Sequence, residues 1–211
     1  VHVQWDDHSL LLSGDLGRND DMLMRPPSPP PEADTVIIES TYGDRVHARQ
    51  DVLGSLAQVI SNTAARGGML IVPAFAVGRA QTLLYCLAQL KAARRIPDLP
   101  VFLNSPMAAN ATRLYERHAA LHRLTAAQCA EAFGVATIVN DVEASKKLNT
   151  LRWPSVIVSA SGMATGGRVL HHLKAYAPDA RNTVLFAGYQ AAGTRGAALV
   201  GGATSIKIFG E

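Results

Sequence analysis

Apolar and polar positions change rhythm along this chain, and the change divides it. Near the start the period is two. Val1, Val3 and Trp5 alternate with polar residues, Asp6-Asp7 follow, and Ser9 to Leu12 form an apolar return. That pattern predicts a β-hairpin turning at the aspartates. A second apolar run, Val36 to Ile38, predicts another strand. Leu10 to Leu12 and Val36 to Ile38 both read as buried strands, each ending at a carboxylate next to a glycine turn. Between them, Met24 to Glu32 (MRPPSPPPE) is too rich in proline for helix or central strand. It predicts a stiff extended connector, with a ligand for a proline-binding domain as the other use of such a composition.

From residue 45 the period becomes helical. Val46, Val52, Leu53, Leu56, Val59 and Ile60 predict a helix over 45–66, stopped by Gly67-Gly68. Met69 to Val72 is a strand before Pro73. Gly78 to Arg95 is a helix with Leu83, Leu84, Leu87 and Leu90 on one face, and Arg94 and Arg95 in its last turn. Val101 to Leu103 is the next strand. Ser105 then caps a helix that has Pro106 at its first position and runs to about His118. Residues 119–134 read as helical. Thr137 to Val139, Val156 to Ser159, Thr183 to Ala187 and Ser205 to Phe209 read as strands, and Gly167 to Tyr176 as a helix. Strands that alternate with helices require crossover connections and a parallel sheet covered on both faces. The predicted fold class is therefore α/β. Residues 45–211 form a doubly wound, mainly parallel sheet, and residues 1–44 contribute a few strands of a different sheet.

Composition narrows the picture. At 211 residues the chain can hold one domain, or one domain and part of another. A content of 48% hydrophobic and 18% charged residues fits a soluble globular protein. No apolar run approaches the roughly 20 residues that span a bilayer. The opening VHVQWDDHSL lacks the basic start and apolar core of a signal peptide. Cys86 and Cys129 are too few for a disulfide framework and form no CxxC pair. They read as small core hydrophobes, and a cytoplasmic location with no membrane contact fits. The net charge of +3 and pI near 9.0 permit a nucleic-acid partner without establishing one.

The candidate chemistry lies at strand ends. Asp15 and Glu39 each follow an apolar run and lie next to a glycine turn, where a strand fixes a side chain and a loop leaves it open. An aspartate before glycine is also an ordinary turn residue, and Glu39 is equally a capping or salt-bridged glutamate. Four further turns, Phe75 to Arg79, Asn104 to Pro106, Ser159 to Arg168 and Gly188 to Arg195, follow strands and enter helices. In a parallel sheet such turns gather at one edge, where ligands bind. Their glycine N–H groups and helix N-termini suit phosphate. Arg79, Arg168 and Arg195 add charge, Ser161 and Thr165 add hydroxyls, and Tyr42 and Tyr189 offer faces for a base. Tight turns with solvated arginines explain the same residues. SGMATGGR is neither a Walker loop nor GxGxxG, which disfavours a mononucleotide cofactor. His171-His172 cannot chelate one metal from adjacent helical positions, so one is predicted to be packed and the other exposed.

The blocks SGDLGR, ESTYGDR, PAFAVGRAQTLL, NSPMA, SASGMATGGRVLHHL and GYQAAGTRG occur in this order over nearly the whole chain. Together they resemble the β-CASP group of metallo-β-lactamase-fold ribonucleases, relatives of the cleavage and polyadenylation endonuclease and of RNase J. The resemblance implies that Asp15 bridges two zinc ions, since one carboxylate can hold two cations about 3.5–4 Å apart. It implies that Glu39 orients a catalytic histidine that protonates the leaving oxygen. It also implies that residues 45–211 clamp single-stranded RNA beside the metals, with residues 1–44 as late strands of the metallo-β-lactamase fold. The group needs an HxHxDH cluster and further histidines. None of the seven histidines here, His2, His8, His47, His118, His122, His171 and His172, has HxH spacing. The chain thus reads as an internal excerpt, expected to hold no zinc pair and to cleave nothing alone. A non-catalytic RNA-binding or scaffold paralogue and an unrelated α/β metabolic hydrolase are the alternatives. A homodimer is one of the assemblies the sequence leaves open.

Overall fold

The computed structural model describes residues 1–44, 46 and 51–211. The expected start of the first helix, at 45 and 47–50, lies outside the described residues. The chain divides into two compact units, Val1–Gln50 with Ala120–Arg123, and Asp51–Ala119 with Leu124–Glu211.

In the first unit, β1 (His2–Trp5) and β2 (His8–Leu12) form the expected antiparallel hairpin. Trp5 faces His8, so Asp6 and Asp7 are the two-residue loop, and Asp6 takes the left-handed φ of 45° that such loops require. β3 (Thr35–Ile37) lies parallel to β2, with Leu12 opposite Ile37. The proline run between them is exposed and has no regular structure. It leaves an anchored end: Arg123 donates its backbone N–H to the Leu23 carbonyl at 2.7 Å and its guanidinium to the Met24 and Asn19 carbonyls at 2.8 Å. The strands are less buried than their composition predicts. Val36, Ile37 and Ile38 are 55%, 55% and 64% exposed, and Leu10 to Leu12 are half-buried. The reason is geometric: β3 is an edge strand, and among the described residues this unit holds no α-helix to lay over the sheet.

The second unit contains a five-stranded, wholly parallel sheet: β4 (Leu70–Pro73), β5 (Val101–Asn104), β6 (Thr137–Ile138), β7 (Val156–Ser159) and β8 (Thr183–Val184), in the order β6-β5-β7-β4-β8. Seven helices accompany it: α1 (Val52–Ala65), α2 (Arg79–Ala92), α3 (Pro106–Arg117), α4 (Ala126–Gly134), α5 (Val142–Leu148), α6 (Val169–Tyr176) and α7 (Arg195–Val200). Side chains alternate across a strand. Ile71 and Ile157 pack with Val169, Leu173 and Tyr176 on one face. Leu70, Val72, Val156 and Val158 point to the other and are no more than 2% exposed. Both faces are therefore covered, and the α/β class stands.

Local chemistry explains most boundaries. Ser105 accepts the Ala108 N–H and Pro106 opens α3, as expected. Gly68 must be glycine because a Cβ there would lie 1.9 Å from the Arg181 carbonyl oxygen. Other expectations need correction. Helix α2 stops at Ala92, so Arg94 and Arg95 lie beyond it, Arg94 at a φ of 52°. Lys91 is the cation in the last turn. The stretch 119–134 breaks after a short 3₁₀ turn (Ala119–Leu121), because Ala120–Arg123 belong to the first unit; Thr125 and Gln128 then restart the helix as a capping box. The Thr183–Ala187 run keeps only two residues in strand. Ser205–Phe209 is no strand: Ile208 exchanges backbone hydrogen bonds with Glu211 in a turn, and Ile206 and Ile208 plug the core. Helix α5 was not expected. Asp141 caps it through the Ala144 N–H at 2.7 Å, with Glu143 in its first turn and Lys146 and Lys147 in its last.

Candidate functional site

Two groups of strand ends carry candidate chemistry, one in each unit. In the first unit, β2 and β3 are parallel, so both finish on the same side. The Ser13 N–H extends the ladder to the Ile37 carbonyl at 2.9 Å. The Ser13 hydroxyl accepts the Glu39 N–H at 3.0 Å. Gly14 then takes a φ of 59°, which turns the chain and leaves Asp15 exposed. One residue later the Leu16 N–H reaches the Glu39 Oε1 at 2.6 Å, while the Thr41 hydroxyl donates to Oε2 at 2.7 Å. The two acidic blocks are thus joined by direct hydrogen bonds. The Thr41 hydroxyl first, then the Leu16 N–H, hold the Glu39 carboxyl below its usual range. Glu39 is a fixed anion with both oxygens engaged, and Asp15 is an open one.

That donor set limits what the described residues offer a metal. A zinc ion takes three or four protein ligands. Among the described residues no three His, Cys, Asp or Glu side chains converge on a common point. Asp15 can offer one carboxylate, and the described residues by themselves do not complete a site around it.

In the second unit the turns after β4, β5 and β7 leave the same edge of the sheet, since the strands are parallel. Much of their polar chemistry is internal. Asn104, fully buried, accepts from the Arg168 guanidinium at 2.9 Å and donates to the Ser145 hydroxyl at 2.8 Å and to His172 Nε2 at 2.7 Å. Since Nε2 accepts, the ring proton sits on Nδ1, which donates to the Asn149 side-chain oxygen at 2.6 Å. Arg168 also reaches the Val139 carbonyl at 2.9 Å and the Asn140 carbonyl at 2.5 Å. Arg195 donates to the Lys207 carbonyl at 2.6 Å and to Ala164 and Thr165 at 3.4 Å. The Ser161 and Thr165 hydroxyls lie 3.1 Å apart, and Ser161 Oγ accepts the Thr165 N–H at 3.1 Å. Arg79 and Tyr189 are exposed, and Tyr42 is exposed in the first unit. His171 is exposed against Phe209 and His172 is buried, as their helical phase predicts.

The Asn104–His172 network was missed from sequence. Its only signal was an asparagine at the end of an apolar strand, just before a capped helix. It makes stability depend on pH. Burial, then the charges of His171 and Arg168, push the His172 pKa down to about 4 from 6.5. Between these values the unfolded chain binds a proton that the folded chain refuses. The stability is therefore complete above pH 6.5 and lost as pH falls toward 4. Between pH 7.5 and 5.0 the loss from this residue is about 2 kcal/mol. Urea unfolding at both pH values checks it: His172→Gln is expected to flatten that part of the slope.

No helix among the described residues is long and apolar enough to cross a membrane. The family model for the Beta-Casp domain matches residues 80–199. The chain is 37% identical to a Thermus thermophilus protein named as a ribonuclease, over all of this chain and 50% of that protein. It is 34% identical to the transcription termination factor FttA of Methanosarcina mazei, over all of this chain and 34% of the relative. An RNase J-like protein of Methanocaldococcus jannaschii is 32% identical, over 99% of this chain and 50% of the relative. The chain thus spans between a third and a half of the length of these curated relatives.

Proposed function

The chain belongs to the Beta-Casp family, and from that premise we propose that it is the RNA-gripping part of a zinc-dependent nuclease that hydrolyses RNA phosphodiester bonds. The observation that carries the reading is the pair of acidic side chains at the ends of adjacent parallel strands, Asp15 open and Glu39 clamped beside it. In this reading Asp15 is one donor to the metal, and the remaining donors come from a longer polypeptide. Zinc supplies a Lewis acid and an activated water when bound. Glu39, with its charge fixed, is placed to hold an imidazole in one tautomer. The names of the relatives, which include a ribonuclease and an RNase J-like protein, support RNA as the substrate. The exposed apolar edge Val36 to Ile38 supports residues 1–44 as part of a larger sheet that other chain covers. Residues 45–211 are the clamp, and Ser161, Thr165, Arg168, Tyr189, Arg195 and Arg79 are its candidate contacts.

The reading is tested on the chain as it stands, by titrating it into a fluorescent single-stranded oligoribonucleotide across a salt series. Binding is expected to weaken linearly in log salt, with a slope of about −0.7 per phosphate neutralised. Tight, salt-independent binding of a mononucleotide in its place would sink the proposal and favour a metabolic α/β enzyme.

A further inference from the structure

Phe75 is the one aromatic ring that stands in the first turn after β4, and its setting is unlike that of a core residue. Its backbone is pinned: the preceding Ala74 N–H bonds to the Ser159 carbonyl at 2.9 Å, and its own carbonyl accepts the Ala80 N–H at 3.1 Å. One edge of the ring is lodged against two glycines from two other turns. A Cβ on Gly162 would lie 2.7 Å from Cδ2 and 2.9 Å from Cε2, and one on Gly188 would lie 3.8 Å from Cε2. The Gln190 side-chain amide ties those turns together, donating to the Gly162 carbonyl at 3.0 Å and the Gly188 carbonyl at 3.2 Å. A rigid seat therefore supports one side of the ring, yet the residue stays 41% exposed. Burial does not account for an apolar ring held half in solvent by two side-chain-free neighbours.

A cation stands next to it. The Arg79 Nε is 3.8 Å from the same Cβ position on Gly188 that the Phe75 ring approaches. Arg79 is exposed and makes no hydrogen bond or ion pair that would neutralise it among the described residues, whereas Arg168 and Arg195 are bonded within the loops. A flat uncharged face beside an unneutralised guanidinium fits a flat uncharged group joined to an anion. A nucleotide has that chemistry, and only a single strand can present the face of its base.

We propose that Phe75, seated on Gly162 and Gly188, stacks one unpaired nucleobase of a bound single strand while Arg79 holds an adjoining phosphate. This rests on the RNA-binding reading above and names a residue on which a base sits. Stacking on an aromatic ring tolerates every base, so the subsite adds grip and register without sequence preference.

Fluorescence anisotropy with a labelled single-stranded oligoribonucleotide tests it, using the 211-residue chain and its variants Phe75→Ala, Phe75→Leu, Phe75→Trp and Arg79→Ala. Phe75→Leu keeps the apolar volume and removes the π face, so it guards against a change in folding, which circular-dichroism melts also follow. Phe75→Ala and Phe75→Leu are expected to weaken binding about 10-fold at every salt concentration, with the salt slope unchanged, and Phe75→Trp to retain it. Arg79→Ala is expected to weaken binding and make the slope shallower by about one phosphate contact. If the parent chain binds and folded Phe75→Leu binds equally well, the base seat is overturned while the RNA reading survives. If the parent chain itself binds no single strand, the RNA reading is overturned, and the base seat with it.

Discussion

Replacing Arg168 with alanine is expected to destabilise the α/β unit by about 3 kcal/mol, read as a shift in the midpoint of urea unfolding at pH 7.5. The guanidinium donates to the Asn104 side-chain oxygen, the Val139 carbonyl and the Asn140 carbonyl. Asn140 is exposed, so water replaces Arg168 there at little cost. Asn104 is fully buried, and among the described residues its side-chain oxygen accepts from Arg168 alone. Leaving such an acceptor unpaired costs about 1–3 kcal/mol by itself. Lysine is the informative second variant. A single ammonium cannot reproduce a planar fork that meets three acceptors on two strand ends. If Arg168 chiefly joins the loops, Arg168→Lys loses most of the stability that Arg168→Ala loses. If it chiefly grips phosphate, Arg168→Lys keeps both stability and RNA affinity. The first outcome is expected, which makes Arg168 a group that shapes these loops and leaves Arg79 as the freer cation.

The parts of this fold that were legible in sequence are those set by short-range chemistry. The span of β7, Val156 to Ser159, was readable to the residue, because a run buried on both faces of a parallel sheet is continuously apolar. The start of α3 was readable because Ser105 and Pro106 each have one mechanical use there. The misses are of another kind. Helix α5 has seven residues, too short for its periodicity to stand out. The alternation in Ser205 to Phe209 was real, but Ile206 and Ile208 enter the core without a strand partner. Asn104 and His172 are 68 residues apart and meet only because β5 ends beside β7, ahead of α6. No local pattern encodes that pairing. The acidic pair was legible for the opposite reason: each carboxylate sits within three residues of the end of an apolar run, and parallel register then brings the runs to a common end.

Asp15 and Glu39 should separate by experiment, because their surroundings differ: Asp15 is exposed, and both Glu39 oxygens accept hydrogen bonds. In the complete nuclease proposed above, Asp15→Ala is expected to lower RNA cleavage about 10³-fold, since loss of a metal donor removes several kcal/mol of transition-state stabilisation. Metal analysis of the same preparation should show a matching fall in bound zinc. Folding is expected to be unaffected, within about 0.5 kcal/mol, because Asp15 is exposed. Glu39→Gln should behave otherwise. Both Glu39 oxygens are already engaged, by Leu16 and Thr41, so this residue is not free to bind metal without breaking those bonds. Its metal content should stay at the parent value while the rate falls and the alkaline limb of the pH–rate profile moves to lower pH, since an imidazole acid that loses its carboxylate partner has a lower pKa. A fall in zinc for Glu39→Gln and none for Asp15→Ala would reverse the two roles. Full zinc and full cleavage in Asp15→Ala would remove the metal from this strand end altogether, leaving the clamp as the chain's remaining link to RNA.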